Sequence, residues 1–328
     1  MSTGLLLVSG ILGIPYDGAL WLLEQWSSGL FALEELFGLG MLGYEFMHRA
    51  FLVGILIAVM APLIGTFLVH RQLALIGDAL AHTAFAGVAV GLFVNAVLGV
   101  GVSPYLTAVI VAMLAALAIE LISEVTDAYN DVSMAIVLST GFALGSVLIS
   151  LNSGGLAVGV NQYLFGNLST VTNQNTILLL GLFGIVALVV GVTYKQLLYV
   201  TFDETAARVA GINVRWYNRV MVMLTAMVVV GAMQIMGVIL VAAMLVVPVA
   251  GAAQVARSFR EALLASVVLA ELAVLAGITL SFQYNVTAGG TIVLVAVAVY
   301  IVAVLYGKLQ SSRAVAVDTA PTDEQTAD

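Results

Sequence analysis

The sequence predicts an all-α, polytopic membrane helix bundle, and three observations support this fold class. Of its 328 residues, 62% are hydrophobic, and the mean hydropathy is +1.15. Charged residues make up only 9% of the chain, whereas ordinary soluble domains contain about 25%. About nine apolar runs are each long enough to cross a hydrocarbon core of roughly 30 Å as a helix. A bilayer accommodates this much apolar surface, which a soluble fold of this size does not.

The predicted crossings lie between residues 44 and 308, which we assign to one transmembrane domain. Turn-like or polar stretches, most of them rich in Gly and Asn, separate the runs. In chain order the runs are 49–69, 73–97, 104–122, 132–151, 175–198, 216–234, 236–255, 262–281 and 289–307.

Both ends of the chain differ from this domain. Residues 1–43 mix Trp, Phe and Leu with acidic residues, which favours a helix at the extracytoplasmic membrane interface over a poorly formed tenth crossing. Residues 309–328 end in the stretch "VDTAPTDEQTAD", which predicts a disordered acidic tail. The net charge of −8 fits ordinary solvated termini, and an acidic surface adapted to high salt is the alternative.

The distribution of Lys and Arg predicts the orientation of the chain in the plasma membrane, because basic residues are enriched in cytoplasmic loops. If residues 69–73 face the cytoplasm, only Arg49 of the ten basic residues lies outside. The N-terminal region is then outside and the C-terminus is cytoplasmic. Segment 216–255 crosses twice in this arrangement, with its turn near Gly231–Gly237. The cytoplasmic set is Arg71, Lys195, Arg208, Arg215, Arg219, Arg257, Arg260, Lys308 and Arg313.

Several function classes are excluded by what the sequence lacks. The chain has no cysteine, which excludes disulfides and thiolate metal sites. It has no Gly-x4-Gly-Lys-Ser/Thr phosphate loop, so we do not expect it to hydrolyse ATP itself. No basic face with interleaved aromatic residues indicates nucleic-acid binding. We therefore expect a transport subunit, without an enzymatic activity or a permanently bound cofactor of its own.

The stretch "LIGDALAHTAFAG", residues 75–87, places Asp78 and His82 four residues apart in an apolar run. Residues at this spacing share a helix face, with Cβ atoms about 5–6 Å apart. Carboxylate and imidazole suit zinc(II), manganese(II) or iron(II). A charged Asp in a membrane helix costs about 2.5–3.5 kcal/mol and usually faces a pathway or a bundle interior. The pair is a candidate metal pathway, and a mutual hydrogen bond near the cytoplasmic end is the alternative.

Two further residues are candidate metal ligands. Glu271 lies in the middle of a predicted crossing, where it either joins the metal pathway or bonds a neighbouring helix. His48 follows Glu45 by three residues at the predicted outer mouth. There it either meets an incoming cation or is simply solvated.

The longest predicted cytoplasmic segment, residues 195–219, is too polar to lie in lipid. Apolar residues recur at helical spacing over 202–210, which predicts a short surface helix. Asp203 and Glu204 lie where the positive end of that helix would begin. Gly211 follows as a natural stop.

The sequence "TAARVAG", residues 205–211, resembles the Ala-Ala-x-x-x-Gly core of the coupling loop of ABC importer permeases, with Thr205 in place of the usual Glu. In that family the loop helix docks on a separate ATPase and transmits its motion. The resemblance assigns ATPase coupling to Asp203, Glu204, Ala206, Ala207 and Gly211.

A wider resemblance covers about residues 48–307. "RAFLVGILIAVMAPLIGTFLVHRQLALIGDALAHTAFAGVAVG", from residue 49, resembles the opening of ABC-3 type permeases of the manganese/zinc/iron chelate uptake family. Thr83 stands there in place of the usual Ala. Similar segments follow in the same order: "DVSMAIVLSTGFALGSVLISL", "MGVILVAAMLVVPVAGAAQVA" and "LSFQYNVTAGGTIVLV". The last departs from the usual pattern at Asn285 and Ala288.

This resemblance implies a type II ABC importer permease-like fold that carries zinc or manganese, or else iron. It places Asp78 and His82 in the metal pathway. The partners it implies are cytoplasmic ABC ATPase subunits that use ATP, an extracytoplasmic metal-binding protein, and a second permease copy in a homodimer within membrane lipid.

An ion- or proton-driven secondary transporter of divalent metals is the main alternative, with Glu271 and Asp78 relaying protons. The helix in "FDETAARVAG" discriminates between the two, because an ATPase needs it and a secondary transporter does not. A permease for cobalamin or ferric siderophores on a similar scaffold is a further alternative. An intramembrane aspartyl protease fits poorly, since "LIGD" lacks the first glycine of the expected motif.

Overall fold

A computed structural model describes residues 16–38, 40–126, 130–151 and 163–318, and helices are the regular secondary structure of this part of the chain. Its helices of six or more residues are α1 (Tyr16–Phe37), α2 (Glu45–His70), α3 (Ile76–Leu98), α4 (Pro104–Thr126), α5 (Asn130–Leu151), α6 (Asn173–Phe202), α7 (Glu204–Val209), α8 (Val214–Met236), α9 (Val241–Ala252), α10 (Phe259–Tyr284) and α11 (Ala288–Asp318). Short 3-10 helices lie at Gly40–Gly43 and Leu168–Thr170. The predicted all-α fold class is confirmed.

Eight helices of the described chain are long and apolar enough to cross a membrane, namely α2, α3, α4, α5, α6, α8, α10 and α11. The ninth predicted run, 236–255, contains the shorter apolar helix α9, whose 12 residues span about 18 Å at the helical rise per residue. Asn218, near the start of α8, bonds to Arg71, and Phe259, at the start of α10, packs against His70. Both helices therefore begin at the end of the bundle where α2 ends, and the segment between α8 and α10 returns to that end.

The stretch between α8 and α9 is apolar but not helical, and carbonyl groups of a distant part of the chain satisfy its backbone. Val238 N–H donates to the carbonyl of Tyr163 at 2.9 Å, and Ile239 N–H donates to the carbonyl of Leu164 at 3.3 Å. Gly237 has a φ of +78°, and a Cβ atom there would collide with the Leu164 backbone. Irregular backbone is tolerated at membrane depth only where protein satisfies its polar groups. This pairing explains why the helix can be interrupted here.

The described residues at the two ends of the bundle are helical. Residues Tyr16–Phe37 form one helix, α1, and its location at the membrane interface stays a prediction. At the other end α11 continues to Asp318, within residues 309–328, for which a disordered acidic tail stays a prediction. The rest of that tail, residues 319–328, lies outside the described residues.

Helices α2 and α8 form the centre of the bundle. α2 packs against α6, α8, α9 and α10, and α8 also packs against α3, α4 and α6. Fully buried side chains such as Met60, Phe67 and Met233 fill the space between them. The outer helices α4, α5, α6, α10 and α11 leave most of their apolar side chains at the surface, as membrane helices that face lipid do.

A close backbone contact holds α3 against α5. A Cβ atom at Gly141 would lie 2.9 Å from the Cα of Thr83 and 3.0 Å from its backbone nitrogen. Membrane helices associate through such close approaches at small residues, because lipid tails are as apolar as the side chains themselves. This contact fixes the position of the α3 segment that carries His82.

Candidate metal-pathway site

Asp78 and His82 lie in the first two turns of α3, on one face, as their spacing predicts. The Asp78 N–H donates to the carbonyl of Leu75 at 3.2 Å. Its carboxylate thus lies at the start of the helix, where the helix dipole favours negative charge. Oδ1 of Asp78 lies 3.7 Å from Nε2 of His82, and the two side chains are 40% and 21% exposed. The pair is therefore accessible from outside this single chain.

Asp78 and His82 do not form a hydrogen bond with each other. A separation of 3.7 Å is too long for a hydrogen bond, so the mutual hydrogen bond that we considered is not formed. Two ligands of one tetrahedral ion lie about 3.4 Å apart when each is about 2.1 Å from the metal. Nδ1 of His82 is also buried, and it has no hydrogen-bond partner among the described residues. The arrangement is compatible with two ligands to one cation.

Phe142 of α5 packs against the imidazole of His82. The ring centroids lie 5.4 Å apart at an interplanar angle of 89°. The same Phe142 ring stacks on Phe85, which follows His82 along α3. These contacts limit how the imidazole can turn. Phe142 carries no signal in the sequence that marks it as a neighbour of the pair, because it is an aromatic residue in an apolar run.

His48 lies away from this pair and is 1% exposed. Its Nδ1 is 2.7 Å from the Ser27 hydroxyl, and its Nε2 bonds to the carbonyl of Leu42. A carbonyl only accepts, so Nε2 carries a proton and donates to it, and in the neutral imidazole Nδ1 accepts from the serine. Trp26 Nε1 donates to the His48 carbonyl at 2.8 Å, and Phe31 packs edge-on against the ring. Both nitrogens are engaged, so His48 holds α1 on α2 and has no free ring nitrogen for a metal ion in this arrangement.

Glu271 does not join the pair either. It lies in the middle of α10 and is half-buried. Among the described residues, no group of three or more Asp, Glu or His side chains is arranged to hold a metal ion. A single chain therefore brings together the two candidate ligands Asp78 and His82, and Glu271 stays an unassigned acid in α10.

The predicted cytoplasmic helix is α7, which is shorter than the pattern suggested. Asp203 caps its start, because the aspartate side chain accepts from the Ala206 N–H at 2.8 Å. Gly211, at a φ of +81°, ends it. The Ile212 N–H donates to the carbonyl of Ala207 at 3.0 Å, as in a Schellman motif. The start and stop predicted at Asp203 and Gly211 agree with these contacts, whereas a coupling role for them stays a prediction.

In the sequence, Arg71 indicates only the orientation of the chain in the membrane. Its guanidinium contacts Glu204, 133 residues away, with 3.3 Å between Nη2 and Oε1. Such a separation along the chain gives no local pattern, so only the tertiary structure shows the contact. It joins the turn before α3 to the first residue of α7.

Eight membrane-length helices define a polytopic membrane protein, and the carboxylate and imidazole near the start of α3 make it a candidate for ion transport. Residues 43–307 match the ABC 3 transport family. The chain belongs to this family. Helix α1 precedes the matched residues.

Named relatives and a solved structure agree with this assignment. The chain is 32% identical over 270 residues to the manganese transport system membrane protein MntC of Halalkalibacterium halodurans, covering 82% of this chain and 90% of that protein. It is 31% identical over 273 residues to a probable metal transport system membrane protein of Treponema pallidum, covering 83% of this chain and 100% of that protein. PsaBC from Streptococcus pneumoniae, solved in complex with Fab, is similar with a TM-score of 0.72 and 29% identity, covering 83% of this chain and 97% of that chain.

Proposed function

We propose that this chain is the permease subunit of an ATP-driven importer of divalent transition metal ions. The observation that carries the proposal is the Asp78–His82 pair, whose oxygen and nitrogen lie 3.7 Å apart on one helix face. Relatives named for manganese and metal transport support a metal cargo. Manganese(II) is the first ion to test, and zinc(II) and iron(II) accept the same ligand types.

A second copy of the chain completes the proposed site. One copy supplies two protein ligands, which is too few to hold a divalent ion firmly. The partly exposed carboxylate of Asp78 leaves room for the same pair from a second copy, so that a homodimer offers four ligands. A site shared between two copies can weaken when the copies move apart, which suits an ion that has to be released.

The contacts support the proposed orientation in the plasma membrane. Arg71 and Glu204 meet at one end of the bundle, whereas Arg49 donates to Asn173 at the other end. The first end also carries Arg208, Arg215 and α7, and we assign it to the cytoplasm, where the ATPase subunits bind. Val209 of α7 is 86% exposed, which is compatible with docking on that partner. The opposite end then receives the ion from an extracytoplasmic metal-binding protein.

The test is uptake of radioactive manganese(II) into proteoliposomes that contain the permease with its ATPase, with ATP inside and the binding protein outside. Asp78→Asn keeps the side-chain shape but removes the charge, so we expect uptake to fall by about 100-fold. Glu45→Gln changes an exposed carboxylate at the opposite end and should leave uptake unchanged. Wild-type uptake of manganese, zinc and iron by Asp78→Asn would refute the proposed pathway. Uptake driven by a proton gradient without ATP would instead indicate a secondary transporter.

A further inference from the structure

Three polar side chains from separate elements meet at the end of the bundle that carries α7. Arg71 Nη1 donates to Asn218 Oδ1 at 2.8 Å, and Arg71 Nη2 donates to Glu204 Oε1 at 3.3 Å. Asn218 Nδ2 donates to the same glutamate oxygen at 3.3 Å. Arg71 follows α2, Glu204 begins α7 and Asn218 lies in α8. We call these three side chains the Arg71 triangle.

The charge of Arg71 is largely withdrawn from solvent, because its side chain is only 12% exposed. Burial lowers the pKa of Arg71 below its ordinary value, while the charges of Glu204 and Glu120 act in the opposite direction. A guanidinium stays protonated in proteins, so a buried one depends on its partners. The position of Arg71 is therefore sensitive to the position of Glu204, and hence to that of α7.

The triangle bridges a gap between α7 and the turn from α2 to α3. α7 rests on its own small apolar cluster, in which Ala207 packs with Val200 and Val214. A polar cavity of about 510 Å³ is lined by the Arg71 triangle and by Ile76 at the start of α3. Apolar packing does not fill this space, so polar side chains connect its two sides.

The turn from α2 to α3 is well placed to pass on a movement of Arg71. Leu73 N–H donates to the carbonyl of Leu68 at 2.9 Å, and Gln72 N–H donates to the carbonyl of Val69 at 3.1 Å. With Gln72 at a φ of 58°, these bonds form a Schellman motif that fixes the direction of the chain after α2. α3 begins within the next three residues, and its first turn carries Asp78.

We propose that Arg71 is a positioning residue that transmits displacement of α7 to the α2–α3 turn, and through it to Asp78 and His82. This inference rests on the proposed function, because it requires an ATPase that moves α7. When Glu204 moves, Arg71 follows, since its buried charge has to keep a carboxylate partner. The turn then shifts the start of α3. The α2–α3 turn is then displaced by the ATPase through α7, and it is joined to the metal site through α3. An element whose position depends on both sites is the physical requirement for coupling between them.

The decisive measurement is the number of ATP molecules hydrolysed per manganese(II) ion transported by the complete complex in proteoliposomes. Arg71→Gln should raise this ratio by about tenfold, a common size for coupling between two sites. Glu204→Gln should raise it less, because Asn218 still holds the arginine. The double variant should be no worse than Arg71→Gln, since both changes remove one shared contact. Arg71→Lys keeps the charge but lacks the two guanidinium nitrogens that donate to Asn218 and Glu204. It should therefore restore the wild-type ratio only in part.

A nearby ion pair outside α7 provides a matched control. Arg219→Gln is this control, because it breaks the 3.0 Å contact with Glu124, which joins α8 to α4 without involving α7. This variant should keep the wild-type ratio. A residue with a structural role alone would lower uptake and ATP hydrolysis together and would leave the ratio unchanged.

The outcomes separate the inference from the proposed function. An unchanged ratio in Arg71→Gln, or an equal rise in Arg219→Gln, overturns the role of Arg71 alone. Absence of ATP-driven uptake by the wild-type complex overturns the proposed function and the inference with it. If Arg71→Gln does not fold, Glu204→Gln decides in its place, because its side chain is 40% exposed and tolerates replacement more readily.

Discussion

Two histidines in apolar helices of this permease have opposite surroundings. His48, at the start of α2, uses both ring nitrogens, one with the Ser27 hydroxyl and one with the Leu42 carbonyl. His82, in α3, has a buried Nδ1 without a hydrogen-bond partner in the described chain. Its Nε2 faces Asp78 at 3.7 Å. One imidazole is fully satisfied within the protein, whereas the other retains the capacity to bind something else.

The difference shows that an imidazole in an apolar run does not by itself indicate a ligand site. Buried polar groups are normally hydrogen-bonded, and a satisfied histidine contributes to stability. An unsatisfied one is costly to bury and suggests a functional reason for its presence. The two residues should therefore respond differently to the same substitution.

The largest expected difference concerns uptake. His82→Gln removes a proposed ligand nitrogen and should lower manganese(II) uptake by about 100-fold. His48→Gln alters a site without ligand capacity, so uptake per folded molecule should stay within about twofold of wild type. Uptake of radioactive manganese, normalised to the amount of folded permease, measures both. Equal losses in the two variants would mean that the contrast between the histidines has no functional meaning.

The second difference concerns stability, which should fall more when His48 is replaced than when His82 is replaced. His48→Ala leaves the Leu42 carbonyl and the Ser27 hydroxyl without their partner, so the free energy of unfolding should fall by about 3 kcal/mol. His82→Ala should cost less, because its Nδ1 bonds nothing in the described chain. Unfolding in detergent, followed by circular dichroism, compares the two. A greater loss of stability in His82→Ala would contradict the roles assigned here.

A third prediction concerns the contact that holds α3 in place. Gly141→Ala puts a methyl group 2.9 Å from the Cα of Thr83, so α3 and α5 have to separate and the unfolding free energy should fall by about 2 kcal/mol. Uptake should fall as well, because Phe142 moves with α5. Gly184→Ala is the control, since its added methyl meets no described heavy atom within 4 Å. Thermal unfolding and uptake that did not change in Gly141→Ala would show that this contact is dispensable.

The smallest expected effect concerns the aromatic neighbours of the two histidines. Phe142→Leu removes the edge contact with His82, worth about 1 kcal/mol, and should weaken manganese(II) binding by about fivefold. Phe31→Leu removes the matching contact with His48, at 4.5 Å between ring centroids, and should leave metal affinity unchanged. Isothermal titration calorimetry with the purified permease measures both. An identical change in both variants would indicate a general packing effect.

Local features of the fold were predicted well from the sequence. Eight of the nine hydropathy runs correspond to the membrane-length helices, and the start near Asp203 and the stop at Gly211 agree with the observed ends of α7. The shared face of Asp78 and His82 followed from their spacing alone. Each of these features depends on residues within one or two helical turns.

The turn predicted near Gly231–Gly237 agrees with the end of α8 at Met236, but the irregular stretch that continues to Leu240 was not predictable in this way. Residues 237–240 are as apolar as a crossing helix, and hydropathy does not distinguish them. What allows them to leave the helix is backbone pairing with Tyr163 and Leu164, more than 70 residues earlier in the chain.

The sequence by itself determined that this chain is a membrane helix bundle, and it placed a carboxylate and an imidazole on one face of a helix. Composition and helical periodicity are properties of short stretches, so they can be read without knowing the fold. Only the tertiary structure decided which histidine is satisfied and which polar groups link α7 to the turn before α3. Those outcomes depend on hydrogen-bond partners such as Ser27 for His48 and Glu204 for Arg71, which folding brings together from distant parts of the chain.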